Sequence, residues 1–185
     1  MKTVGGTVQW HTPIDGLMLG ASDSYNVGSA TTTLVTPSGN LTGIDNTRRY
    51  QIPFFFLQYD HKRVMFAGEY MRIPAHDDFV YTDGPSFPVD IDLRNWYVMT
   101  TFKAATKLTT GIFYSSNFDH RAALGPGRYQ KDWALTARYD FNSFLYAKAE
   151  EHFLDGTSTG FSLSNNPNGL APNSKLTILK IGVSF

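Results

Sequence analysis

The sequence predicts an all-β fold, an antiparallel up-and-down barrel that crosses a membrane. Three observations carry that prediction. The last eleven residues, KLTILKIGVSF, alternate strictly: Leu179, Ile181, Val183 and Phe185 share one side, and Lys180, Gly182 and Ser184 share the other. A period of two is a strand with two unlike faces. About nine such segments follow one another, and their connections alternate between short and long. The longest apolar run, residues 53–57, is far below the about 20 residues that a membrane-crossing helix needs. Strands need no such run, because lipid-facing residues alternate with residues facing water.

Composition narrows the function classes. The chain has 185 residues, 42% of them hydrophobic and 15% aromatic, with a formal net charge of zero and no cysteine. A neutral chain offers no electrostatic argument for a nucleic-acid partner. Without cysteine there is neither a disulfide framework nor a thiolate metal site.

The strands follow in order. Residues 3–12 place Val8, Trp10 and Thr12 opposite Thr7, Gln9 and His11, and Pro13-Ile14-Asp15-Gly16 supplies a tight turn. Residues 17–26 carry Leu17, Leu19, Ala21 and Tyr25 on one face, before a polar loop over 27–46. In the third strand, 48–59, the run Phe54-Phe55-Phe56 hides the alternation, so its faces stay unassigned. A short turn at 60–62 leads to 63–73, where Val64, Phe66 and Tyr70 oppose Met65, Glu69 and Met71. A second long loop is expected over 74–90.

Residues 92–105 set Trp96, Val98, Thr100 and Phe102 against Asn95, Thr101 and Lys103. A turn near Thr106 joins them to 107–117, and a third loop, 118–129, holds Gly125-Pro126-Gly127. The clearest strand is 130–141, with Trp133, Leu135, Ala137, Tyr139 and Phe141 against Ala134, Thr136, Arg138 and Asp140. Asn142-Ser143 turns into 144–154, whose polar face carries Tyr146, Lys148, Glu150 and His152. The fourth loop, 155–173, leads to the last strand.

The terminal strand, alternating and ending in Phe185, resembles the closing strand of Gram-negative outer-membrane barrels. The stretch from YDFNSFLYAKAEEHF at Tyr139 to the C-terminus resembles the final hairpin of bacterial porins. The resemblance implies a bacterial outer-membrane location and passive diffusion of small hydrophilic solutes or ions, with no catalytic step and no cofactor. It implies that Phe185, with Val183 and Ile181, is read by the barrel assembly machinery. Outer-membrane lipid and the solutes are the other implied partners; a homotrimer is left open, and no nucleic acid is implied.

Single-chain bacterial barrels have even strand numbers, so about nine strands suggest the C-terminal half of a larger barrel of about 16. The expectation is one β-barrel domain over 1–185, incomplete at its N-terminus, which alone does not close into a conducting pore. MKTVGGTVQW lacks the apolar core of a signal peptide. Two rival readings are a small eight-stranded barrel, serving as an anchor or a lipid-modifying enzyme, and a soluble lipocalin-like barrel.

The expected pore-lining residues are Glu69, Lys103, Arg138, Asp140, Lys148, Glu150, His152 and Lys180. Their mixed signs leave ion preference open. No catalytic residue or metal ligand is assigned. His152 beside Glu150 reads better as a lumen histidine than as a proton shuttle, since no nucleophile accompanies it. Gly156 to Gly160 matches G-x-S-x-G in letters but precedes no helical pattern, which a nucleophile elbow requires. His76, Asp77, Asp78, Asp83, Asp90 and Asp92 read as a solvated acidic loop rather than a calcium cage. Trp10, Trp96, Trp133, Phe141, Phe144, Phe153 and Phe185 suit interfacial aromatic belts.

Overall fold

The computed structural model describes residues 2–36, 39–82, 84–158, 166 and 168–183. They form nine strands: β1 (Lys2–His11), β2 (Leu17–Thr36), β3 (Gly39–His61), β4 (Val64–Tyr81), β5 (Ser86–Ala105), β6 (Leu108–Asp119), β7 (Tyr129–Asp140), β8 (Leu145–Gly156) and β9 (Asn173–Val183). The one helical turn among the described residues, Pro126–Arg128, precedes β7. All nine strands make one sheet in sequence order, each antiparallel to its neighbours. Every connection therefore returns the chain to the opposite end. The described residues of 27–46, 74–90, 118–129 and 155–173 lie at one end, and the short turns at the other.

Two of the expected loops are strand instead. β2 and β3 stay paired as far as Thr36↔Gly39, and β4 and β5 as far as Val80↔Ser86. Thr, Ser, Gly and Asn, the residues of a loop in sequence, predominate on both faces over 27–46, so no apolar alternation marks a strand there.

The Phe54-Phe55-Phe56 run is resolved by register. Phe55 pairs with Tyr70 on the face of Ala21 and Leu57, while Phe54 and Phe56 pair with Met71 and Glu69 on the other. The register slips between Thr47 and Phe54, and one extra residue enters β3 opposite β2. Such a bulge puts two successive residues on one side. Here they are Arg48 and Arg49, both exposed between the half-buried Thr47 and Tyr50.

The two faces differ in crowding. On β7 and β8 one face holds Ala134 at 2% and Leu154 at 7% exposure. The other holds Trp133 at 52% and Leu135 at 54%. Side chains converge on the concave side of a curled sheet, so the crowded face is the inward one. β1 and β9 each have one strand partner, and β2 pairs with β1 rather than with β9. Among the described residues the eight-stranded closure that would expel β1 is absent.

Candidate functional site

The inward face follows from parity and register. From β5 to β9 one row reads Lys103, Thr109, Arg138, Lys148 and Lys180, each directly opposite the next. Four of these five positions are cationic. Strands lie about 4.8 Å apart, so the row spans about 19 Å of wall. Like charges facing each other across a strand pair are destabilising. At about 5 Å the repulsion is about 1 kcal/mol in water and far larger in a dry medium. A row of this kind belongs on a wetted face.

Its members are held differently. The Arg138 guanidinium sits 2.7 Å from the Asp140 carboxylate and 4.0 Å above the Tyr146 ring. That ring lies over Gly182, where a Cβ would come within 2.2 Å of it. Gly182 thus lets Tyr146 lie flat, and Tyr146 supports Arg138. Lys148 reaches Glu150 at 2.8 Å. Lys103 and Lys180 have no ion-pair partner among the described residues.

Above this row, toward the long connections, the inward charges change sign. Glu69, Tyr97, Ser115 and Asp132 share a row, and Asn95 and Asn117 pair in the next. The His152 Nδ1–H donates to Asp132 at 2.8 Å, and both side chains are largely buried. Asp132 was absent from the sequence-based site. Its parity on β7 was legible, but only the β7–β8 register places it beside His152. Among the described residues no nucleophile is bonded to the dyad, and His152 Nε2 is buried without a partner. All eight expected pore-lining residues fall on the inward parity, and Asp140 lies one inward position nearer the turn than Arg138, opposite Tyr146.

The outward face is apolar and open. Leu179, Ile181 and Val8 are 79%, 76% and 72% exposed. Aromatic residues edge it. Phe55 contacts Tyr70 at 6.5 Å, Trp96 contacts Tyr114 at 5.1 Å, and Tyr114 contacts Trp133 at 4.5 Å. Phe153 lies opposite Trp133, with Lys175 5.5 Å above its ring. Toward the short turns Trp10, Phe102, Tyr139 and Phe141 make a second edge. Phe144 lies in the β7–β8 turn, where Asn142 Oδ1 accepts its N–H at 3.0 Å. Val183 and Ile181 are outward on β9; Phe185 lies outside the described residues.

No protein-family model and no curated protein matches the sequence. Solved structures do. OmpT of Vibrio cholerae, an outer membrane protein folded in vitro, superposes with a TM-score of 0.56 at 16% identity, over 98% of this chain and 55% of that one. The outer-membrane expressed form gives 0.53 at 16% identity, over 84% and 47%. The NanC porin gives 0.50 at 14% identity, over 99% and 91%. The fold is that of an outer-membrane β-barrel. The chain spans about half the length of the OmpT structures it matches.

In a barrel of this kind the prolonged β2–β5 hairpins rise beyond the aromatic edge. Their outward face is a lattice of ion pairs. Arg48 binds Asp78 at 2.7 Å, Asp90 meets His76 at 2.5 Å, and Asp92 holds both Arg72 and Arg94. Hydrogen bonds from Arg48 and His76 hold the Asp78 and Asp90 carboxyls below the usual carboxylate range. Inward, burial and the Asp77 charge push Asp45 up. Strand alternation thus divides the acidic residues between two faces, and the outward ones are hydrogen-bonded by Arg48, His76, Arg72 and Arg94. Asp83 lies outside the described residues. Ser158 of the G-x-S-x-G match donates to Asn117 at 2.8 Å; Thr159 and Gly160 lie outside the described residues.

Proposed function

We propose that this chain forms part of the wall of a water-filled outer-membrane pore, through which small hydrophilic solutes diffuse passively. The observation that carries the reading is the inward row of Lys103, Arg138, Lys148 and Lys180, set in register across β5 to β9. Facing cations of this kind call for high-dielectric water beside them. The apolar outward face supplies the matching lipid surface. A soluble ligand-binding barrel would bury its apolar face and wet the other, the reverse of this arrangement.

Transport then needs no reacting group. Solutes are selected by size and by the field of the lining charges. With two of its four cations free of ion pairs among the described residues, the row favours anions at the turn end. The edges of β1 and β9 must be covered within a bilayer, because unpaired backbone groups in hydrocarbon cost several kcal/mol each. Lipid vesicles reconstituted with a barrel in which the β1 and β9 edges are covered test the function. Swelling in iso-osmotic arabinose, and its absence with a large dextran, is the expected result. Vesicles that stay tight to arabinose would exclude a diffusion pore.

A further inference from the structure

We propose that the pore wall carries a docking site for an uncharged, hydroxyl-rich solute of monosaccharide size, seated between β4, β5 and β6. The inference rests on the pore reading, since the site opens on the inward face. A cavity of about 230 Å³ lies there, lined on the inward side by Phe54, Glu69, Asn95, Tyr97, Ser115 and Asn117. That volume holds a six-membered ring with its substituents, and is too small for a lipid chain or a peptide segment.

The lining chemistry selects the occupant. Phe54 and Tyr97 line the cavity with aromatic carbon, on which the C–H groups of a sugar ring pack, and Phe113 backs Tyr97 at 5.5 Å. Two amides and a hydroxyl converge beside them. Asn117 Nδ2 donates to Asn95 Oδ1, which orients the pair and leaves the Asn95 amide hydrogens for a ligand. Asn117 Oδ1 takes the Ser158 hydroxyl, fixing the second amide from the loop side. Glu69 lies directly opposite Tyr97 across β4–β5 and is the cavity's one carboxylate, an acceptor for ligand hydroxyls. The groups remaining are neutral donors and acceptors, which match hydroxyls.

Charge argues against other occupants. The inward cations of β5 to β9 lie in the Lys103 row, six residues down β5 from Tyr97 or about 20 Å along the strand. Glu69 stands in the cavity itself, so an anion meets repulsion without compensation. A cation would reach Glu69 only by shedding water against Phe54 and Met71.

The test is side-chain amide NMR of the protein in detergent micelles, titrated with glucose, with choline chloride and sodium acetate as controls. The expected result is a saturable shift of the Asn95 and Asn117 amide resonances with glucose alone. Asn117→Ala should weaken it about fivefold, the loss of one hydrogen bond. Asn95→Leu, which keeps the volume, supplies a second variant if that one misfolds. A linear drift shared by remote amides would overturn the site, as would saturation by choline or unchanged affinity in both variants. Vesicle swelling separates this result from the pore reading. Glucose permeation without saturable binding sinks the site and keeps the pore; saturable binding without permeation does the reverse.

Discussion

Lys148 lies directly opposite Lys180 on the inward face of the β8–β9 pair. Neighbouring carboxylates do not cancel both charges: Lys148 is paired with Glu150 at 2.8 Å, and Lys180 has no ion-pair partner among the described residues. Lys180 should therefore be a main source of the field in the proposed pore. In a bilayer separating unequal KCl concentrations, Lys180→Glu should move the reversal potential toward cation preference. Lys103→Glu, at the far end of the same row, should move it the same way. A reversal potential indifferent to both substitutions would remove the row from the permeation path.

Ile181 neighbours Lys180 in sequence but points the other way, and is 76% exposed on the outward face. Ile181→Arg should cost about 2–4 kcal/mol near the bilayer midplane. Lys180→Ala should change stability little, since it also relieves repulsion across β8–β9. Urea unfolding in lipid vesicles measures both. Equal stability of Ile181→Arg and the parent would mean that this face does not meet hydrocarbon.

The alternation of β7, β8 and β9 was legible because each strand has one lipid face and one wet face. Arg138, Lys148, Glu150 and Lys180 could be assigned to one side from parity alone. Their alignment into a row could not, because register depends on turn geometry and on packing across strands rather than on either strand's own sequence. The same holds for Asp132 and His152. The prolonged hairpins of β2 to β5 leave no signal for a different reason: Thr, Ser, Gly and Asn stand on both faces there, so the sequence over 27–46 loses the period that marks a strand. The register slip that turns Arg48 and Arg49 to one side leaves no local signal either.

Asp45 and Asp77 face inward on the external hairpin, and each has a buried carboxylate oxygen without a hydrogen-bond partner. Because the folded state raises the Asp45 pKa, the associated stability is complete below the unfolded carboxylate value. It is lost as pH rises through the folded value. Asp78 and Asp90 run oppositely: their depressed values give stability that is present at neutral pH and lost only below the ordinary carboxylate range. Asp45→Asn should thus slow amide hydrogen exchange in the β3–β4 extension at pH 7, and Asp78→Asn should speed it. Faster exchange in Asp45→Asn would show that the Asp45 charge is compensated.

Lys62 turns the chain between β3 and β4 with φ of 53°, a left-handed conformation that a side chain disfavours. Glycine accepts it without that penalty. Lys62→Gly should stabilise the protein by about 1 kcal/mol against urea. A destabilised variant would mean that the Lys62 side chain makes up for its backbone.

The most direct test is a nitroxide scan along β7, one cysteine at a time from Leu135 to Tyr139, in reconstituted lipid vesicles. Labels at Leu135, Ala137 and Tyr139 should relax with oxygen dissolved in the bilayer. Labels at Thr136 and Arg138 should relax with a water-soluble nickel chelate. The alternation should persist through all five positions. A scan without a period of two, or one in which Thr136 and Arg138 report hydrocarbon, would contradict a wall with lipid outside and water within.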